Sequence, residues 1–324
     1  MAEPVNPAGI SSETPISIPM HRKTSLKRKR MKKCWQLYLI ILLPVIYLIL
    51  FKYVPMYGIV IAFKNYIATK GIMGSPWVGL KHFDYFFNSP LLFRLLYNTA
   101  GISLYSLLAG FPLPIILALS LNEVKTITFK KTVQMVTYAP YFISTVVMVS
   151  IMLQFLSPQI GIVNHLIKSL GGSAVNFMGE PGYFKSLYVW SGVWQYTGYS
   201  SILYLAALTG IDPELHQAAI VDGATKLKRI WHIDIPGIMP TAVILLILNA
   251  GQIMNVGFEK VYLMQNNLNL SSSDVIATYV YRMGLLNSQF SYSTAVGLFN
   301  SIVNLVLLVL VNQMARKLGE TSLW

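Results

Sequence analysis

Six long apolar runs, separated by polar or basic stretches, dominate the pattern of this chain. They lie at about 36–60, 95–121, 133–157, 187–208, 238–258 and 292–314. A helix needs roughly 20 apolar residues to cross a hydrocarbon core of about 30 Å, so each run predicts a membrane span. The expected fold class is therefore all-α and polytopic, with six transmembrane helices. In the first run Lys52 comes late and has to snorkel toward the interface. Residues such as Trp35, Tyr38, Tyr53, Tyr57, Phe184, Tyr188 and Trp190 fall near the ends of runs, where aromatic rings act as interfacial anchors.

Composition agrees: hydrophobic residues make up 54% of the 324 and charged residues 11%. The excess of 25 Lys and Arg over 12 Asp and Glu would suggest nucleic acid in a soluble protein. Here the basic residues sit between apolar runs or before the first one, so they report topology and no nucleic-acid partner is expected. With a cytoplasmic N-terminus, the inner segments carry sixteen basic residues: eight within 22–33, then Lys125, Lys130, Lys131, Lys226, Lys228, Arg229, Arg316 and Lys317. The outer segments carry seven: Lys64, Lys70, Lys81, Lys168, Lys185, Lys260 and Arg282. The positive-inside rule places both termini in the cytoplasm, as an even number of spans requires. Residues 1–34, with Pro4, Pro7, Pro15 and Pro19 ahead of the basic run, read as a disordered tail before a retained anchor. A lone Cys34 excludes a disulfide framework and a four-cysteine metal site.

The spans contain no ionisable residue away from their edges. Ion-coupled carriers keep such groups at membrane depth at a cost of about 2.5–3.5 kcal/mol each, so a secondary carrier is the weaker alternative. A membrane scaffold is weaker still. Intramembrane proteolysis and metal chemistry lack paired carboxylates or clustered His, and no metal site is expected. No G-x-x-x-x-G-K-[ST] or G-x-G-x-x-G motif occurs, so a nucleotide has no phosphate loop on this chain. What the spans do hold is uncharged and polar: Gln154, Gln195, Asn249, Gln252, Asn255, Asn300 and Asn304. As a set they predict a polar, uncharged path.

The segment 210–240, between the fourth and fifth runs, has readable local chemistry. Asp212 is a natural N-cap, Pro213 suits the first helical position, and Glu214 favours the positive helix start. The helix should stop near Gly223, which can adopt the left-handed conformation, and a second helix should follow Thr225. Ala218 and Ala219 leave one face nearly flat for close approach by another surface.

At this segment the chain resembles the binding-protein-dependent permease subunits of ATP-binding cassette importers. Their hallmark, E-A-A-x-x-x-G followed by about a dozen residues and I-x-L-P, reads here Gln217-Ala218-Ala219-Ile220-Val221-Asp222-Gly223-Ala224, then Ile233-Asp234-Ile235-Pro236. Gln217 replaces the usual Glu, which is expected to weaken one charge contact, and Ile235 replaces Leu. The resemblance covers nearly the whole chain. Residues 255–270 and 274–282, with Ser322-Leu323-Trp324, look like the branch for complex polysaccharides, and are similar to the first permease subunit of bacterial alginate importers.

The resemblance implies the type I ABC importer permease fold, with 35–324 as the permease domain and 212–224 as a cytoplasmic coupling helix. It implies a non-catalytic subunit in a bacterial inner membrane. The implied partners are a second homologous permease, two ATPase subunits that bind ATP and Mg, a periplasmic solute-binding protein and an oligosaccharide, with no cofactor on this chain. For sugar contact, Trp190, Trp194, Gln195, Tyr196 and Tyr199 combine aromatic faces with hydrogen-bonding tips, and Asn249, Gln252 and Asn255 add polar partners. Lys260 and Arg282, on the outer side, are candidates to attract the carboxylates of a uronate chain.

Overall fold

The computed structural model describes residues 35–317, so the expected tail 1–34 and the terminal Ser322-Leu323-Trp324 lie outside the described residues. Helices and their connections make up these residues; no strand occurs among them, and Lys64 and Trp77 form an isolated bridge. The described residues up to Gly58 form one compact unit and those from Ile59 a second.

The first unit holds most of the helical run α1, Trp35–Phe63. It relaxes into a π-helical turn at Ile49–Tyr53, just before Pro55. Proline lacks an amide hydrogen and its ring crowds the carbonyl four residues back, so a wider turn accommodates it.

In the second unit, α2 (Leu92–Glu123) and α9 (Phe290–Lys317) are long and apolar enough to span a bilayer, as is α7 (Lys226–Ala250). α5 (Pro181–Thr209) is 29 residues long, enough to cross, but its Ser, Gly, Trp and Tyr content leaves it below the apolarity of the others. The expected third span is a broken pair, α3 (Ile127–Phe142) and α4 (Thr145–Phe155), bent by 98°. The last turn of α3 tightens to a 3-10 turn at Ala139–Phe142, which holds Pro140, and the Ser144 side chain accepts from Val147 N to restart the chain as α4. The fifth span is also placed differently from the sequence expectation. Its helix begins at Lys226, ahead of 238, and stops at Ala250, short of 258. A π-helical turn at Ile230–Asp234 precedes Pro236, repeating the accommodation seen before Pro55.

α5 is the central element of this unit, packing against α2, α3 and α7, while α7 also packs on α9. Where α2, α5 and α7 meet, Ala118, Tyr204, Leu208, Ile238 and Ala242 form one buried cluster. Another, around Met148, Met152, Phe184, Val256 and Val261, lies where α4, α5 and α8 (Phe258–Met264) converge. On α2, Arg94, Asn98 and Thr99 hold the connection before the last helix: Asn98 donates to Ser271 O, and Thr99 accepts from Ile276 N.

α5 approaches α3 most closely at Gly198, where an added Cβ would overlap the Thr137 backbone carbonyl. The obstruction is backbone, which cannot rotate away. Gly198→Val should cost more than the roughly 1–3 kcal/mol of ordinary overpacking. Thermal unfolding of the purified variant in detergent is the check, with a lower Tm than the parent expected.

Candidate functional site

The faces of α5 sort its candidate residues into different roles. Gln195 is buried, and its amide donates to Ile143 O at 2.8 Å, within the α3–α4 break. Tyr199 stacks on Tyr141 in the same break, with centroids 3.8 Å and planes 7° apart. Both side chains therefore brace the break, and neither lines the cavity described next. Trp190 donates its indole N–H to the Tyr105 hydroxyl of α2 at 2.8 Å. Trp194 is 54% exposed and stands apart from both.

Tyr196 belongs to a different surface. It lines a cavity of about 660 Å³ between α2, α5 and the end of α7, together with Asn249, Gln252 and Asn255. That volume falls in the range of about 300–1,000 Å³ typical of ligand sites. Four of the eight expected path residues are thus brought together here, and Trp190, Trp194, Gln195 and Tyr199 are not. Ser103, Ser106, Thr145, Thr197, Ser200, Tyr188 and Glu259 add further polar lining. The sequence carried a usable signal for part of this: Tyr188, Gly192, Tyr196 and Ser200 recur every four residues, which puts them on one helix face. Tyr188 read only as an interfacial anchor.

The floor of the cavity is the break after Ala250, held by a side-chain amide network. Asn255 Oδ1 accepts from Asn300 and Asn304 of α9, each at 3.2 Å, and Asn255 donates to Gln252 Oε1 at 2.7 Å. Asn304 Oδ1 accepts from Met254 N at 3.0 Å, satisfying a backbone group that the helix no longer serves.

The two expected outer cations separate. Lys260, on α8, is in the cavity wall; it is 7% exposed, donates to Tyr188 O at 2.9 Å and lies over the Tyr188 ring at 4.8 Å. Burial pushes its amine down to about 8. Arg282 is away from the cavity, donating to both oxygens of the fully buried Asp274 at 2.9 and 2.8 Å; Arg94 completes the cluster at 3.2 Å. Its charge is engaged within the protein.

The segment 212–224 is a capped helix, α6 (Pro213–Val221). Asp212 Oδ1 accepts from Glu214 N at 2.9 Å, and Pro213 occupies the first turn. After Asp222, Gly223 turns with φ +72°, and Ala224 N donates to Ala219 O at 2.8 Å, closing the carbonyl end. Thr225 then caps the start of α7. Glu214, Gln217 and Ala218 are exposed, as are the apolar Leu215, Ile220 and Val221, with Leu227 and Trp231 beside them.

Residues 110–320 match the family model described as "Binding-protein-dependent transport system inner membrane component". The polygalacturonan/rhamnogalacturonan transport system permease protein YteP of Bacillus subtilis (strain 168) is 47% identical over 95% of this chain and 97% of its own length. A crystal structure of a bacterial ABC transporter that imports the acidic polysaccharide alginate holds a chain 40% identical, with a TM-score of 0.83 over 89% of this chain and 98% of that one. A second, bacterial alginate ABC transporter in complex with an alginate pentasaccharide-bound periplasmic protein, gives 39%, 0.84, 91% and 99%. With more than half its length matched by the family model, and relatives this similar along nearly all of it, the chain belongs to the family of binding-protein-dependent transport system inner membrane components.

Proposed function

We propose that this chain is a permease subunit of an ATP-driven importer of acidic oligosaccharides. It pairs with a second homologous permease, receives sugar from a periplasmic binding protein, and is driven by two separate ATPase subunits that hold ATP and Mg. Both termini lie in the cytoplasm, so α6 projects toward the ATPases. The observation that carries the reading is the polar cavity at the broken end of α7, joined through that one helix to α6 at its other end.

Each half of the arrangement has a physical rationale. The exposed apolar side chains of α6 and the first turns of α7 make a patch that calls for a protein partner on the soluble side. The cavity presents hydroxyl and amide groups with the aromatic ring of Tyr196, the mixture that suits a sugar's C–H faces and hydroxyls. Lys260 supplies the positive charge in its wall, and the relatives' acidic polysaccharides favour carboxylate-bearing chains as cargo.

The test is ATP hydrolysis and sugar uptake by the purified complex in vesicles, with its binding protein and acidic or neutral oligosaccharides. Stimulation by acidic chains is expected; an unresponsive complex refutes the reading. Gly223→Val puts a β-branched residue at φ +72°, costing roughly 1–2 kcal/mol of backbone strain in the turn. The variant should insert in the membrane yet lose stimulated hydrolysis.

A second expected outcome concerns pH. With its amine at about 8, Lys260 is charged below that value and neutral above it. Uptake of an acidic oligosaccharide at sub-saturating concentration should therefore fall as pH rises through that range. Lys260→Arg should remove the fall, because guanidinium stays charged.

A further inference from the structure

The foot of α7 carries a buried charge that the sugar path does not use. Asp234 is 1% exposed and closes the π-helical turn ahead of Pro236. Its Oδ1 lies 3.2 Å from Nε2 of His216, which projects from α6. Among the described residues neither carboxylate oxygen is reached by a well-formed hydrogen bond, and the His216 imidazole is the basic group in closest contact with it, a charge pair when that ring is protonated. A buried carboxylate left uncompensated is strongly destabilising, so the two groups are held together across whatever joins them.

What joins them in the chain is the turn at Gly223. His216 precedes it and Asp234 follows it. A glycine at φ +72° is a natural hinge, and rotation there would let α6 swing without moving α7. A second set of charges fixes the same foot to α2. Glu123 lies 3.7 Å from Arg229 and 3.9 Å from Lys226, both in the first turn of α7. The first turns of α7 are thus tied on one side to α6 and on the other to the end of α2.

We propose that His216 and Asp234 are a positioning pair for transport: they brace the Gly223 hinge so that α6 and α7 move as one body. A displacement of α6 by a partner then reaches the break after Ala250, where Asn249, Gln252 and Asn255 line the cavity. Neither residue touches sugar or nucleotide. The inference rests on the reading of α6 as the surface that meets the ATPase, and adds to it the route by which motion leaves that surface.

The test uses the whole complex in vesicles and reads acidic oligosaccharide imported per ATP hydrolysed, with assembly followed by size-exclusion chromatography. Asp234→Asn keeps the shape and removes the buried charge, and His216→Ala removes its partner. Each should lower the ratio by about tenfold, within the span of ordinary coupling between sites. The double variant should be no worse than either single one, because the pair acts as a unit. His216→Lys, which places a cationic donor in reach of Asp234, should retain most of the ratio, a rescue that a purely structural role for the imidazole would not give. Should Asp234→Asn fail to assemble, the partly exposed His216 decides the matter through its two variants. An assembled Asp234→Asn or His216→Ala complex with the parent ratio overturns the brace, as do single effects that multiply in the double variant. These outcomes leave the importer reading intact, whereas a parent complex that shows no sugar-stimulated hydrolysis removes both.

Discussion

A backbone amide or carbonyl inside a bilayer has no water to turn to, and that constraint governs where this chain can stop being helical. Two breaks among the described helices are answered by side-chain amides. At the 98° bend between α3 and α4, Gln195 of α5 reaches Ile143 O. After Ala250, Asn304 of α9 takes Met254 N while Asn255 gathers Asn300, Asn304 and Gln252. Gln195 and Asn304 replace missing helix hydrogen bonds, which amides do without the cost of burying an ion. The cavity follows from the second break, since a helix that ended at 258 would have filled that space.

The parts of this fold governed by local rules were legible in the sequence. Asp212, Pro213, Gly223 and Thr225 each occupy the cap, first-turn or turn position that their chemistry favours, so α6 and the start of α7 could be read residue by residue. The apolar runs gave the long helices for the same reason. Tertiary geometry was not legible. Hydropathy alone does not distinguish a straight span from α3 and α4, because both pieces are apolar and the bend depends on Gln195 and Tyr199 arriving from α5. Gln195, Tyr199 and Trp190, expected from sequence to meet sugar, have packing partners that the sequence did not announce, because sugars and packed helices favour the same side chains. Arg282 looked available to a substrate because Asp274, eight residues earlier, gave no sign that it would be fully buried beneath it.

The distribution of charge completes the physical picture. The close acid–base contacts among the described residues of the second unit sit where chain segments meet: Asp274 between Arg94 and Arg282 beyond the start of α2, and Asp234 with His216, and Glu123 with Arg229, at the foot of α7. Each cluster joins elements far apart in sequence or straddles a turn, and each contains a carboxylate at least largely shielded from solvent. Such pairs are poor sources of net stability, because desolvation offsets most of the Coulomb gain. What they supply is discrimination between arrangements: the relation that keeps the pair together is strongly preferred over any that separates it. A transport protein that must shift helices between two states without losing their internal register has a use for that property. The apolar clusters around Met148 and Ala118 can tolerate sliding of one smooth surface on another; the ion pairs mark the junctions where sliding is resisted. Lys260 is the exception among the buried charges, since its amine meets a backbone carbonyl and a ring without a carboxylate partner in contact. A cation kept incompletely compensated in a cavity wall is a charge whose placement favours an anionic visitor over a fixed neighbour.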